Sequence, residues 1–136
     1  MAKTENQHPD QRDVAARWTP HLATGGWTSV VDFFLDHYQD LGITNLEAIF
    51  LVHLIRFKWT KEMPFPGFKW LAKKMGIIAT AARGHARRLE KKGMLKRIER
   101  TGSTNRFDLT GLFQGLERLQ LKKGGTGRKR RLGSRR

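Results

Sequence analysis

Cysteine is absent, which excludes a disulfide framework and any thiolate metal site and fits a reducing interior. No stretch approaches the roughly 18 consecutive apolar residues of a membrane span, and the amino-terminal region lacks a signal-peptide apolar run. A soluble cytoplasmic protein without a membrane partner is therefore expected. Acidic residues are also scarce, with 12 Asp and Glu against 27 Lys and Arg. The sequence has no phosphate loop, no H-E-x-x-H, no nucleophile–base pair and no acidic cluster able to hold two metals. The histidines, His8, His21, His37, His53 and His85, are scattered. No enzyme activity, cofactor or metal is expected.

What is abundant is positive charge, and it is unevenly placed. The formal net charge is +15 over 136 residues. Residues 1–43 hold three Lys/Arg and six Asp/Glu, a net −3; residues 44–121 hold sixteen against six, a net +10. Residues 122–136 hold eight basic residues and no acidic ones, a net +8. Such a segmental excess points to a polyanionic partner, nucleic acid ahead of an anionic surface.

Residues 1–26 are polar, contain two prolines and end in Gly-Gly, which reads as a flexible amino-terminal arm. The run "WTSVVDFFLDHYQDLG" places Val30, Val31, Phe34, Leu35, Tyr38 and Leu41 at helical spacing before Gly42; its start also fits a short strand through Val30 and Val31. Asp32, Asp36 and Asp40 form an outward acidic stripe on this helix, suited to solvent or to a protein contact. Thr44 and Glu47 then make an S/T-x-x-E capping box. The helix that follows is apolar nearly all round through Ile49, Phe50, Leu51, Val52, Leu54, Ile55 and Phe57, so it belongs in a core beneath the preceding helix. His53 within it reads as a hydrogen-bonded core histidine.

Next come a short helix "GFKWLAKKM" stopped by Gly76 and a longer one from about Ala79 to Lys92 closed by Gly93. "MLKRIER", the turn "TGST" and "NRFDL" read as a basic two-stranded hairpin with Ile98, Phe107 and Leu109 inward. Thr110 caps a last helix that puts Leu112, Phe113, Leu116 and Leu119 on one side. The helices at 28–41 and 111–121 are candidate surfaces for a homodimer or a protein partner, or they complete the core. Residues 122–136 have no apolar period and read as a disordered basic tail. The fold class is thus mainly α with a small β-hairpin, a domain over 27–121 between arm and tail.

The order of long helix, short helix, tight turn, second helix and basic hairpin resembles the winged helix-turn-helix family of bacterial transcription regulators and of plasmid and phage replication initiators. The resemblance covers about residues 44–109. It is carried by Pro66, Leu71, Ala72, Gly76, Ile77, Leu89, Glu90, Gly93, Met94 and Leu95 in the pattern P-S-x-x-x-L-A-x-x-x-G-h-S-x-x-T-V-x-x-x-h-x-x-L-E-x-x-G-h-h, with h apolar. Two departures stand out. Ile78 replaces the usual Ser before the second helix, leaving Thr80 as the nearest hydroxyl, and Ala81-Ala82 replaces Thr-Val. The resemblance implies site-specific binding of double-stranded DNA, with the helix over 79–92 in the major groove and the hairpin over 94–109 as the wing. The role would be in transcription or in replication and plasmid maintenance, in association with the nucleoid.

Helical geometry allocates the contacts. At about 100° per residue, Ala82, His85, Ala86 and Leu89 share one side; Thr80, Arg83, Gly84, Arg87 and Lys91 share the other. On this reading Gly84 faces outward and lets the backbone approach a base edge, or it is a flaw that tertiary contacts absorb. Arginine forks match guanine O6 and N7, so Arg83 and Arg87 are the expected base readers, with Thr80 and His85 as lesser candidates. Backbone contacts are expected from Lys69, Lys73, Lys74, Arg88 and Lys91, and in the hairpin from Arg97, Arg100, Ser103, Thr104, Asn105 and Arg106. The tail, through Arg128, Lys129, Arg130, Arg131, Arg135 and Arg136, would add salt-sensitive affinity independent of sequence. The competing reading is an RNA-binding or protein-assembly module that uses the basic hairpin and tail.

Overall fold

The computed structural model describes residues 11–58, 63 and 65–124. In chain order its elements are α1 (Gln11–Arg17), α2 (Pro20–Thr24), α3 (Asp32–His37) running into a 3-10 turn (Tyr38–Leu41), α4 (Asn45–Ile55), α5 (Phe68–Met75), α6 (Ala79–Lys91), β1 (Lys96–Ile98), β2 (Arg106–Asp108) and α7 (Thr110–Lys122). The architecture is mainly helical with one antiparallel hairpin, which pairs Lys96 with Asp108, Arg97 with Phe107 and Ile98 with Arg106.

Local chemistry sets several boundaries. The capping box forms in both directions: Glu47 N–H donates to Thr44 Oγ1 at 3.2 Å, and Thr44 N–H donates to Glu47 Oε1 at 3.0 Å. Gly76 and Gly93 end α5 and α6 near φ 71° and 77°, a left-handed conformation that disfavours any side chain. Ile78 precedes α6 without a side-chain cap, as the missing Ser implied.

Three helices pack mutually around the centre: α4 contributes Phe50, Leu51 and Leu54, α5 contributes Leu71 and Ala72, and α6 contributes Ala82, Ala86 and Leu89, all buried. The two alanines leave room for the helices to approach closely. Phe107 of β2 with Leu95, Leu109 and Leu112 closes this core from the hairpin side. α7 lies against α3 and its 3-10 turn, with Gly115 buried beside Leu41 and Met94.

Several expectations need correction. The flexible-arm reading of residues 1–26 covers residues 1–10, which lie outside the described residues, and 11–24, which hold two short helices. Pro20, one of the two prolines of this segment, does not interrupt it but is the first residue of α2 behind Thr19, whose Oγ1 accepts from Leu22 N–H at 3.0 Å; proline costs nothing there because the first N–H has no helical partner. Neither a strand nor a helix forms at Val30 and Val31. Val31 is the N-cap of α3 and, with Leu35, stays exposed at 67% and 55%, because α3 buries only Phe34.

α4 is not covered all round either. Leu46 and Ile49 are exposed, since α5 and α6 flank one side of α4 and α3 does not cover the other. Thr110 does not cap α7; its N–H donates to Asp108 Oδ1 at 2.9 Å, so Asp108 supplies the acceptor. Phe113 is 38% exposed because it lies about 100° round the helix from the inward-facing Leu112.

Candidate nucleic-acid interface

The charged surface centres on α6. Burial of Ala82, Ala86 and Leu89 against α4 and α5 turns Thr80, Arg83, Arg87 and Lys91 outward in one exposed line, at the three- and four-residue spacings of a helix face. On α5, burial of Leu71 and Ala72 leaves Lys69, Lys73 and Lys74 exposed. Arg106 of β2 is exposed as well. Among the described residues, no carboxylate pairs with any of these seven side chains that carry charge.

The helices and the hairpin meet at a cleft of about 300 Å³. Lys69, Arg83, Ser103, Thr104 and Asn105 stand around it over a floor of Pro66, Phe68 and Phe107. Arg83 holds its guanidinium 5.6 Å from the Phe68 ring centroid. Thr104 Oγ1 donates to the Phe65 carbonyl at 2.5 Å and so ties the hairpin turn to the approach to α5.

Other expected contact residues are committed within the protein. Arg88 was expected at a phosphate; its Nε instead donates to Glu47 Oε2 at 3.3 Å and its Nη2 to His85 Nδ1 at 2.9 Å. Lys92 reaches the same carboxylate, donating to Glu47 Oε1 at 2.5 Å and to the Gly42 carbonyl at 2.7 Å. Glu47 itself is fully buried. Burial pushes its carboxyl up, but the bonds from Lys92, the Thr44 backbone and Arg88 outweigh that and hold it below the ordinary glutamate value.

This network corrects the readings of Gly84 and His85. Gly84 is buried, not open: a Cβ there would stand 3.3 Å from Arg88 Nη1 and 3.9 Å from Arg87 Nη2. The glycine makes room for Arg88 to fold back over its own helix rather than for a base edge. His85 is only 6% exposed and lies 6.0 Å from the Phe50 ring, so it does not face a groove. Burial first, and the adjacent Arg88 charge second, lower its pKa against an opposing effect of Glu47.

In the hairpin, Arg97 is bound to Glu90: its backbone N–H donates to Oε2 at 3.1 Å and its Nε to Oε1 at 3.0 Å. Burial raises the Glu90 carboxyl, and the Arg97 bonds more than compensate, so its pKa is lowered. Arg100 Nε donates to the Thr104 carbonyl at 2.8 Å, with its guanidinium 5.0 Å from the Phe65 ring centroid. Both arginines shape the hairpin; of the other contacts expected there, Ser103, Thr104 and Arg106 are exposed and Asn105 is half-buried.

A second basic cluster surrounds Trp70, and sequence reasoning missed it. Arg56 and Lys74 lie 5.1 and 5.4 Å from its ring centroid, and Phe57 meets it edge-on at 4.8 Å. His53 is half-buried there rather than in the core, 6.0 Å from Trp70, with Nδ1 accepting from Arg56 at 3.4 Å. The available signal was the four-residue spacing of Trp70 and Lys74. Arg128, Lys129, Arg130, Arg131, Arg135 and Arg136 lie outside the described residues.

Among the described residues, no group of His, Asp and Glu side chains is placed to hold a metal, and no helix is long and apolar enough to cross a membrane.

The arrangement is similar to a solved one, the crystal structure of the N-terminal domain of DnaD protein from Geobacillus kaustophilus HTA426. The TM-score is 0.60 at 24% sequence identity, over 84% of this chain and 93% of that one. That likeness is one of fold. No curated protein matches. The family described as the DnaD N-terminal domain matches residues 30–124, from the residue before the N-cap of α3 to just beyond α7, and the chain belongs to that family.

Proposed function

We propose that this chain is a non-catalytic DNA-binding module of a replication assembly, with α5, α6 and the hairpin used as a winged helix-turn-helix. In this reading α6 enters the major groove of double-stranded DNA, and the hairpin lies along the backbone as the wing. The observation that carries it is the exposed line Thr80, Arg83, Arg87 and Lys91, with Lys69, Lys73 and Arg106 beside it and no carboxylate partner among the described residues. Membership of the DnaD N-terminal domain family supports replication over transcription. Action at the nucleoid, in the cytoplasm, follows from that role.

Arg83 and Arg87 read bases in this proposal; Lys69, Lys73, Lys91 and Arg106 hold phosphates. The test is duplex binding by fluorescence anisotropy, with selected and random sequences in competition. Arg83→Ala should cost about 1–3 kcal/mol of discrimination, whereas Lys73→Ala should weaken all duplexes alike and flatten the salt dependence. Equal loss on every sequence for Arg83→Ala refutes base readout. Tighter binding to RNA than to any duplex refutes the DNA reading.

A second reading has one observation in its favour. Val31 and Leu35 are exposed on α3 beside the equally exposed Asp32 and Asp36, a face suited to a protein partner or a second copy. Sedimentation of Leu35→Asp against the parent tests it; an unchanged molecular mass in both rules out self-association through α3.

A further inference from the structure

The cleft between α5, α6 and the hairpin has a composition that a DNA backbone does not explain. Its rim carries two cations, Lys69 and Arg83, and the short polar side chains Ser103 and Asn105; no carboxylate lines it. Its floor is apolar, formed with Phe68 and the fully buried Phe107. A phosphodiester satisfies the rim and makes no use of the floor. A nucleobase needs a free aromatic face on which to stack, and Phe68 offers none. Arg83 and Arg97 lie 5.6 and 5.9 Å from its centroid, and Phe107 meets it edge-on at 5.8 Å.

From this we infer that the cleft is a docking site for an acidic peptide that ends in an apolar side chain. The Arg83 fork and the Lys69 ammonium take carboxylates, for which a planar guanidinium is shaped. Ser103 and Asn105 donate to peptide carbonyls, and the apolar side chain lies against the part of Phe68 that remains exposed, which needs no free ring face. At about 300 Å³ the space is at the lower end of ligand pockets. It suits one or two side chains of an extended peptide rather than a docked helix. Because Lys69 and Arg83 also belong to the proposed duplex face, peptide and duplex exclude each other, and an acidic partner protein thereby displaces DNA from α6.

The test uses the full chain and a fluorescein-labelled peptide, Asp-Asp-Glu-Leu-Phe with a free carboxyl terminus, read by anisotropy. Replacing its Leu and Phe by Ser should weaken binding at least about tenfold, and so should Arg83→Ala, since one charge-assisted bond is worth that much. Ser103→Phe fills the cleft without removing charge and should abolish peptide binding. Far-UV circular dichroism checks that each variant is folded. Equal affinity for the Ser-substituted peptide reduces the cleft to a charged surface and overturns the inference. Duplex binding that depends on Arg83, with no peptide binding, overturns it while leaving the duplex reading standing. Loss of a single-stranded oligonucleotide on Ser103→Phe, with the peptide unaffected, overturns it in favour of a nucleotide.

Discussion

Replacing Glu47 tests how α4 and α6 are held together. Its carboxylate is fully buried and accepts from Thr44 N–H, Lys92 Nζ and Arg88 Nε, which join the start of α4 to the second half of α6. Glu47→Ala removes the returning bond of the capping box, about 1 kcal/mol, and two bonds to charged groups at about 1.5–3 kcal/mol each. Two corrections lower that figure. Lys92 and Arg88 are 30% and 55% exposed, so both rehydrate once released, and the variant no longer carries the desolvation cost of a buried carboxylate. A net loss of about 2–4 kcal/mol is expected for Glu47→Ala. Glu47→Gln keeps the acceptor for Thr44 N–H and removes only the charge, so about 1–2 kcal/mol is expected.

The pH dependence provides the stricter check. The folded-state pKa of Glu47 is held below the ordinary glutamate value, so its contribution is complete above that value and is lost as pH falls through the lower, folded value. Urea unfolding of the parent and of Glu47→Gln, followed by far-UV circular dichroism, should show a gap near pH 7 that narrows toward pH 3. A gap that is absent near pH 7, or that is the same at both, refutes the network as described. Release of Arg88 by Glu47→Gln should also steepen the salt dependence of duplex binding by about one counterion.

Three further substitutions probe separate joints. A Cβ on Gly111 would overlap the Gly93 carbonyl oxygen, a backbone atom that cannot turn away, so Gly111→Ala should lower stability by at least about 2 kcal/mol in urea unfolding. Glu90→Gln weakens the hold of α6 on β1; faster hydrogen exchange at Arg97 N–H, with a loss of about 1 kcal/mol, is the expected result. Lowering pH through the depressed Glu90 pKa should reproduce that loosening in the parent. Gly84→Ala gains about 1 kcal/mol of helix propensity and crowds Arg88 Nη1 at 3.3 Å. Stability should therefore change by less than about 1 kcal/mol, and a large loss would show that Arg88 cannot yield.

Features determined within a few residues were legible in the sequence. The capping box at Thr44 and Glu47, the stops at Gly76 and Gly93, and the limits of α5 and α6 each depend on bonds or steric demands inside one turn. Burial of Ala82, Ala86 and Leu89 followed from period alone. What failed depended on neighbours that no local pattern names. Leu35 and Ile49 carry the right spacing for a core, yet no described element covers them. Pro20 had two meanings, breaker or first helical residue, and Thr19 decided between them.

The same limit governs the charge on α6 and explains why composition overstates the binding face. Arg83, Arg87, Arg88, Lys91 and Lys92 read alike in sequence, but Arg88 meets a carboxylate 41 residues away and Lys92 meets the same one 45 residues away. One buried glutamate thus engages two of the five cations, and Gly84 supplies the space in which Arg88 lies. Arg83, Arg87 and Lys91 are left on one line, and Thr80 continues it toward the start of the helix. A cylinder charged all round would bind a polyanion in any orientation. Confining the cations that have no carboxylate partner among the described residues to one stripe removes that freedom, so in the proposed complex a duplex that satisfies all three would meet α6 in one registered pose.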